Sequence, residues 1–367
     1  MTRSPSQTLS TSIPFYDRNA RINFVNAVLR NVDREGHQIL EQKTELLDNI
    51  EPWLGRRWVD AYGKVKTAKI LDSVMERSSS ICITTKEQIS AENVGNHPVV
   101  QAFQEWLETG QDGNLTVLPN GSIRISGLSS PVSTWPLYED GSWWIQDPSA
   151  SIPALALHHS LMDDSNLQIL DLCSAPGGKT MQLAAYPKIE HVTAVEVSER
   201  RTKQLHANLQ RTFLDHKCTV VVADGSTFIP SDGNLFDGIL IDAPCSATGL
   251  GRRRPDVLRR SEGSISELID IQRKLLQHAV DNLLKPGGGI LVYATCSLLP
   301  EESEDQMRWL LKQYEGIVEN VPISNGEIGG FDNAIDDNNG WIRVIPGVLE
   351  EPMTSCDGFF VARIRKL

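Results

Sequence analysis

The stretch Ile290-Leu-Val-Tyr-Ala-Thr-Cys-Ser-Leu-Leu-Pro300 decides how the chain is read. Its continuous apolar run predicts a strand over Gly289–Ala294, buried on both faces, as parallel sheets require. The strand leads directly into Cys296. In open α/β sheets, ligands and chemistry sit just outside the carboxyl ends of the strands, so Cys296 stands where a nucleophile would stand. On the strand alone, an inert packed thiol is the simpler reading, because unpaired cysteine is among the most buried residue types.

Outward from this strand, from about Leu167, strands and helices alternate. Strands are expected at Gln168–Leu172, His191–Val197, Thr219–Val222 and Phe236–Ile241. Helices are expected to start at Gly178, to span Ser198–Arg211 with Ser198 as N-cap, and to cover Ile265–Leu284 and Glu301–Tyr314. Two last strands are expected at Trp341–Ile345 and Phe359–Ile364, after a Gly-, Asn- and Asp-rich loop over Asn325–Gly340. This alternation predicts a mostly parallel, doubly wound α/β sheet. Before it, Ser78–Thr85, Asn114–Leu118, Ser122–Ile125 and Trp143–Gln146 read as short strands around a helix at Pro98–Thr109, a small α+β domain. Earlier still, helical spacing marks Arg21–Val32, Ile39–Leu54 and Arg57–Asp72. Arg56, Arg57, Lys64, Lys66 and Lys69, with Trp53 and Trp58 nearby, fit either an RNA-contacting face or a solvated face over a Trp-anchored core.

With 367 residues, 40% of them hydrophobic, the chain can bury two or three domain cores without disulfide staples. Cys82, Cys173, Cys218, Cys245, Cys296 and Cys356 form no C-x-x-C pair, and no histidine lies at ligand spacing from them. Neither a structural zinc nor a disulfide framework is expected, and a reducing, cytoplasmic setting fits. No apolar run is long enough for a membrane span. A net charge of -12 argues against a protein that coats nucleic acid non-specifically, while leaving room for a local basic cleft.

Two further turns carry the chemistry beside Cys296. The first is Asp171-Leu-Cys-Ser-Ala-Pro-Gly-Gly-Lys-Thr180, whose glycines admit close backbone approach to a ligand beside a helix N-terminus. Its spacing is not that of a Walker loop. Glu196 ends the second strand, where a carboxylate can accept from both ribose hydroxyls of an adenosine, and Asp224 follows the third strand within reach of an adenine edge. Each acid could instead be a cap or turn residue. The second turn, Asp242-Ala-Pro-Cys-Ser-Ala-Thr-Gly249, projects Asp242 and Cys245 at the sheet edge that carries Cys296. Beyond it, Arg252, Arg253, Arg254, Arg259 and Arg260 form either a local anion site or a solvated basic loop.

Asp171–Thr180, Asp242–Gly249 and Thr295-Cys-Ser297 together resemble the motifs of the RNA (cytosine-5) methyltransferases, the Sun/Fmu and nucleolar-protein family, and within it the bacterial 16S rRNA enzymes. The resemblance runs from about Asn26 to the C-terminus and includes Asn26–Arg30, Pro52–Leu54, Ile145–Asp147 and Asp357–Phe360. It implies a Rossmann-like S-adenosylmethionine-dependent methyltransferase domain over residues 148–367, preceded by a helical segment over 1–75 and a small α+β RNA-binding domain over 76–147. It implies that Cys173, Ser174, Ala175, Pro176, Gly177, Gly178 and Lys179 wrap the cofactor, that Glu196 binds its ribose and Asp224 its adenine, and that Asp242 lies between cofactor and target base. Cys296 is then the nucleophile, Cys245 the second cysteine that helps release product, and no metal takes part. The thiolate would add to carbon 6 of cytosine and make carbon 5 nucleophilic, in a base unpaired or flipped out of its stack. Positive charge from Lys179 and the arginine loop would favour the thiolate.

Two features depart from the family. Glu302-Ser303-Glu304 stands where its members carry an acid-Asn-acid triplet, and the N-terminal NusB-like domain of the bacterial rRNA enzymes is expected to be largely absent, reduced to the helix around Asn26. Small-subunit rRNA is the expected substrate. tRNA is the alternative, and a non-catalytic ribosome-assembly factor is the reading without chemistry.

Overall fold

A computed structural model describes residues 26, 27 and 30 together with residues 50–75, 80–161 and 165–367. Asn26, Ala27 and Arg30 are helical. The remainder of the Arg21–Val32 helix, the start of Ile39–Leu54, and Ser78 lie outside the described residues.

The Cys296 strand has the predicted character. β9 (Ile290–Thr295) is buried at every position. It lies in an eight-stranded sheet with β5 (Leu167–Leu172), β6 (Ile189–Glu196), β7 (Cys218–Val222), β8 (Gly238–Asp242), β10 (Val318–Asn320), β11 (Ile342–Val344) and β12 (Phe359–Lys366). The order is β10-β12-β9-β8-β5-β6-β7, with β11 hydrogen-bonded to β12 off this path. β9, β8, β5, β6 and β7 run parallel, and β12 pairs antiparallel with β9 and β10. The chain enters at β5, moves outward through β6 and β7, then returns to β8 on the other side of β5. That reversal opens the crevice between neighbouring strand ends in which α/β proteins hold ligands.

Register makes the edge level. Leu172 pairs with Val195 and Ile241, and Asp242 pairs with Ala294, so Cys173, Glu196, Asp242 and Thr295 reach the same rim. Phe360 opposite Thr295 brings the start of β12 to that rim as well.

A second sheet is antiparallel, in the order β2 (Asn114–Val117), β3 (Ile123–Ser126), β1 (Ser80–Thr85), β4 (Trp143–Ile145). Phe103 on the helix Pro98–Glu108 fills its core against Trp135 and Trp143, with ring centroids 6.0 and 5.7 Å away at edge-on angles. Edge-on aromatic contacts of this kind contribute about 0.5–1.5 kcal/mol beyond area burial.

The helix α1 (Pro52–Met75), interrupted at Gly63, covers the start of the chain's larger unit, Ile50–Leu367. The sequence splits this region as Ile39–Leu54 and Arg57–Asp72, whereas the helix runs unbroken from Pro52 through Arg57. Trp53 and Trp58 are core anchors rather than stacking platforms. Trp58 is fully buried, and both pack in one cluster with Val257, Leu258, Leu298 and Leu299, the last two just beyond Cys296. Trp53 Nε1 donates to the Arg260 carbonyl and the Tyr62 hydroxyl to the Leu298 carbonyl.

One helix, at Pro148–Ser160, is absent from the expected elements, although Asp147 followed by Pro148 is a helix-start pattern. It is buried on all sides, so it shows no amphipathic stripe, and Pro153 in its middle reads as a breaker. The expected Ile265–Leu284 helix is α-helical over Ile265–His278 and ends in a π-turn over Ala279–Leu283. The expected Glu301–Tyr314 helix begins with a short 3₁₀ turn over Pro300–Glu302 before its α-helical part, Glu304–Gln313. Among the described residues no helix is long and apolar enough to cross a membrane, and no group of three or more His, Cys, Asp or Glu could hold a metal ion.

Candidate active site

Cys296 opens into a cavity of about 270 Å³ at the strand rim. Ser174, Ala175, Pro176, Gly178, Lys179, Asp242 and Cys296 all line it, with Asp147, Asp171, Arg253, Asp357 and Phe359. Of the predicted residues, Cys173, Gly177, Glu196, Asp224 and Cys245 lie outside that lining.

Their places differ. Cys245 is next to the nucleophile position, its sulfur 3.4 Å from that of Cys296. The hydrogen bond to Cys296, and then burial, hold the Cys245 thiol well above the ordinary cysteine range, so it is protonated at neutral pH. Gly177 shapes the turn: its φ is +106°, and a Cβ there would meet Leu205 Cδ1 at 2.5 Å. Cys173 also has a positive φ, 63°, and burial raises its thiol far above the usual range, which leaves it inert. Glu196 stands behind the turn: its Oε2 accepts from the Ala175 N–H at 3.3 Å and pairs with Arg201 at 3.0 Å, and its Oε1 accepts from the Ser198 N–H. Asp224 is exposed and its Oδ1 accepts from the Ser226 N–H and hydroxyl, the turn geometry that aspartate forms with its own backbone.

The electrostatics centre on Lys179. Burial pushes its ammonium down, but the Asp242 carboxylate, accepting at 2.8 Å, outweighs this and holds the lysine charged above its ordinary range. Lys179 also lies 5.1 Å from the Phe359 ring centroid. The fields of Lys179 and Arg254 both reach Cys296.

The arginine loop is not an open anion site at its centre. Arg252 lies 3.6 Å from Asp147 and 3.5 Å from Asp357. Arg253 bridges the same two carboxylates, and Arg254 pairs with Asp256 at 2.7 Å. A buried guanidinium needs a carboxylate partner, and here the partners lie more than 100 residues away in sequence, where no local pattern reveals them. Asp147 also caps the Pro148–Ser160 helix through Ser149, so one carboxylate joins the end of β4 to the cavity wall.

The structure adds one residue to the site. Asp171 is fully buried and lines the cavity. Its Oδ2 accepts from the Thr180 hydroxyl at 2.6 Å while its Oδ1 has no hydrogen-bond partner. Burial, opposed by the Thr180 hydrogen bond, raises its carboxyl to about 7. A buried acceptor without a donor is an expensive arrangement unless a bound group completes it. The signal was present in the sequence as the first residue of the Gly-rich turn.

Ser303, at the family's Asn position, is buried with its hydroxyl 3.0 Å from that of Thr295, the residue before Cys296.

Known proteins are similar to this chain in sequence and fold. The chain is 37% identical over 238 residues to the ribosomal RNA small subunit methyltransferase F of Cronobacter sakazakii, covering 64% of this chain and 47% of that protein. It spans about half the length of the curated relatives it matches. The crystal structure of PH0851 superposes with a TM-score of 0.73 at 26% identity, covering 88% of this chain and 69% of that one. A methyltransferase homologue from Pyrococcus horikoshii superposes at 0.67 with 24% identity, covering 89% of this chain and all of that one. The family description 16S rRNA methyltransferase RsmB/F matches residues 158–365, more than half of the chain. With the two cysteines, the Lys179–Asp242 pair and the glycine turn meeting at the switch point of a doubly wound sheet, the chain belongs to the 16S rRNA methyltransferase RsmB/F family.

Proposed function

We propose that this chain transfers a methyl group from S-adenosylmethionine to carbon 5 of a cytidine in RNA, with small-subunit rRNA as the substrate. The observation that carries the reading is the placement of two thiols, 3.4 Å apart, on adjacent parallel strand ends, with Cys296 in the same cavity as Lys179, Asp242 and the glycine turn.

The residues fit the cofactor. Asp171 offers a buried, unpartnered carboxylate oxygen, suited to an ammonium group. Gly178 leaves room for close approach, since a Cβ there would meet nothing nearer than Gln146 at 3.5 Å. Ser174 to Lys179 would hold the cofactor along the turn, with Glu196 at its ribose and Asp224 at its adenine. Bound there, S-adenosylmethionine supplies an electrophilic methyl group.

Cys296 adds through sulfur to carbon 6 of the cytosine, which makes carbon 5 nucleophilic. Asp242, held by Lys179, accepts from the amino group on the base edge and so orients the ring for addition. After transfer a base takes the carbon 5 proton and the electron pair left on carbon 5 expels the Cys296 sulfur from carbon 6 as thiolate. Cys245, protonated in the free protein, serves that release by donating to the departing sulfur. The antiparallel β1–β4 sheet, within residues 76–147, and the basic surface of α1 are assigned to RNA contact. A reducing cytoplasm would keep both thiols available.

The test is methyl-label incorporation into cytosine of 16S rRNA by the full chain. Wild type incorporates label and Cys296→Ala does not. Incorporation by Cys296→Ala would refute the mechanism. Bisulfite mapping of rRNA and tRNA from a deletion strain identifies the substrate: loss of a methylated cytidine from tRNA, with the rRNA pattern unchanged, would reject the rRNA assignment.

A further inference from the structure

Glu302 is fully buried one short turn after Cys296, and its carboxylate collects four hydrogen bonds. Its Oε1 accepts from the Ser246 N–H at 2.9 Å and from Gln272 Nε2 at 3.1 Å. Its Oε2 accepts from the Ser246 hydroxyl at 2.5 Å and the Ser297 hydroxyl at 2.6 Å. Ser246 follows Cys245, and Ser297 follows Cys296.

The residues preceding the cysteines are fastened to the same group of side chains. Gln272 Nε2 also donates to the Pro244 carbonyl at 3.0 Å, on the other side of Cys245. Thr295, before Cys296, meets the Ser303 hydroxyl. Arg343, held by Glu304, donates to the Ser297 carbonyl at 2.6 Å. The Tyr293 hydroxyl in turn fixes the Glu302 carbonyl at 2.8 Å. An ionised carboxylate offers about four acceptor positions and no donor, so these four donors saturate it. An amide of the same shape can keep all four contacts, its oxygen toward the Ser246 N–H and Gln272 and its NH2 donating to the two hydroxyls, which also accept.

We propose that Glu302 is the positioning residue that sets the spacing of the two cysteines, by drawing Ser246 and Ser297 onto one carboxylate. It does not line the cavity, so it acts through the two loops rather than on substrate or cofactor. The proposal rests on the reading that both cysteines act in methyl transfer.

The test separates thiol geometry from catalysis. A trivalent phenylarsenical bridges two close thiols without RNA or cofactor, and Cys245→Ala gives the blank for this pair. In the full chain, Glu302→Ala lowers arsenical affinity about tenfold or more, because the second thiol no longer engages at high effective concentration, whereas Glu302→Gln retains most of it. Glu302→Ala lowers kcat for rRNA methylation about 10²-fold, the scale of an ångström-sized misplacement, with KM for RNA and cofactor affinity within about twofold of wild type. Unchanged arsenical capture in Glu302→Ala would overturn the proposal. So would a loss of cofactor binding in proportion to kcat, which marks a general structural role. If Glu302→Ala does not fold by circular dichroism, the double variant Ser246→Ala/Ser297→Ala, which keeps both backbones, reads the same geometry. Wild-type capture and kcat in that variant would refute the role. If wild type captures the arsenical but methylates no RNA, the functional reading fails, while arsenical capture by the Glu302 variants still decides the positioning claim.

Discussion

Replacing Asp171 with Asn should remove most of the pH dependence of cofactor binding between pH 5.5 and 7. Asp171 lines the cavity with an unpartnered Oδ1, and burial raises its carboxyl from the ordinary 3.8 to about 7. Over this range the cofactor's amino group stays protonated, because amines of that kind titrate near 8. If the ionised carboxylate receives that ammonium, the apparent dissociation constant scales as one plus ten to the power (7 − pH), with 7 as the Asp171 value. Affinity then falls about 16-fold from pH 7 to 5.5, equivalent to about 1.6 kcal/mol. Isothermal titration calorimetry of S-adenosylmethionine on wild type and Asp171→Asn measures this directly. The Asn variant should bind more weakly at pH 7 and show little slope. A flat wild-type profile, or an Asn variant that keeps the full slope, would refute the assignment.

The same shift has a sign for stability. The raised group binds its proton more tightly in the folded than in the unfolded chain. Its contribution is therefore complete below the unfolded value of 3.8 and is lost as pH rises through about 7. In thermal melts of the cofactor-free protein, the difference in Tm between wild type and Asp171→Asn should move against wild type as pH rises from 4 to 7, and saturating cofactor should reverse the trend.

Three further outcomes follow from the packing and the thiol pair. Cys245→Ala should trap RNA on the protein as a covalent adduct visible on a denaturing gel, whereas Cys296→Ala should yield no adduct; absence of adduct in Cys245→Ala with Cys296 intact would reverse the division of roles. Trp58→Ala should destabilise the Ile50–Leu367 unit by about 3–5 kcal/mol in urea unfolding, because the ring is fully buried beside Leu298 and Leu299. Gly249→Ala should lower kcat and stability together, since a Cβ would lie 2.4 Å from the Gly358 carbonyl oxygen while the Gly249 N–H donates to the Cys296 carbonyl. Wild-type kcat in that variant would show that the Gly249–Gly358 contact does not hold Cys296.

Much of the sheet was legible because its strands follow simple rules. A strand buried on both faces reads as an apolar run, and β9 is one. Helices that turn one face to water carry a stripe, as Glu199–Arg211 does with its Ser198 cap. The Pro148–Ser160 helix lacks both signals, since burial on every side erases periodicity. Its cap, Asp147, looked like any strand-end acid, although it also anchors Arg253 and the Asp357 backbone.

The same division applies to the site. Sequence alone determined the residue types: a cysteine after a buried strand, a second cysteine in a proline turn, a lysine in a glycine turn and acids at or just after three of the strand ends. All are local patterns, set by what a strand end and a tight turn permit. Only the tertiary structure decided which of them meet. It brought Cys245 to within 3.4 Å of Cys296 and joined Lys179 to Asp242, left Asp224 in its own turn, and turned two of the loop arginines onto Asp147 and Asp357. Apart from the local Asp224 turn, those outcomes depend on register and burial across more than 50 residues of sequence, where a side chain finds its partner through space and leaves no pattern along the chain.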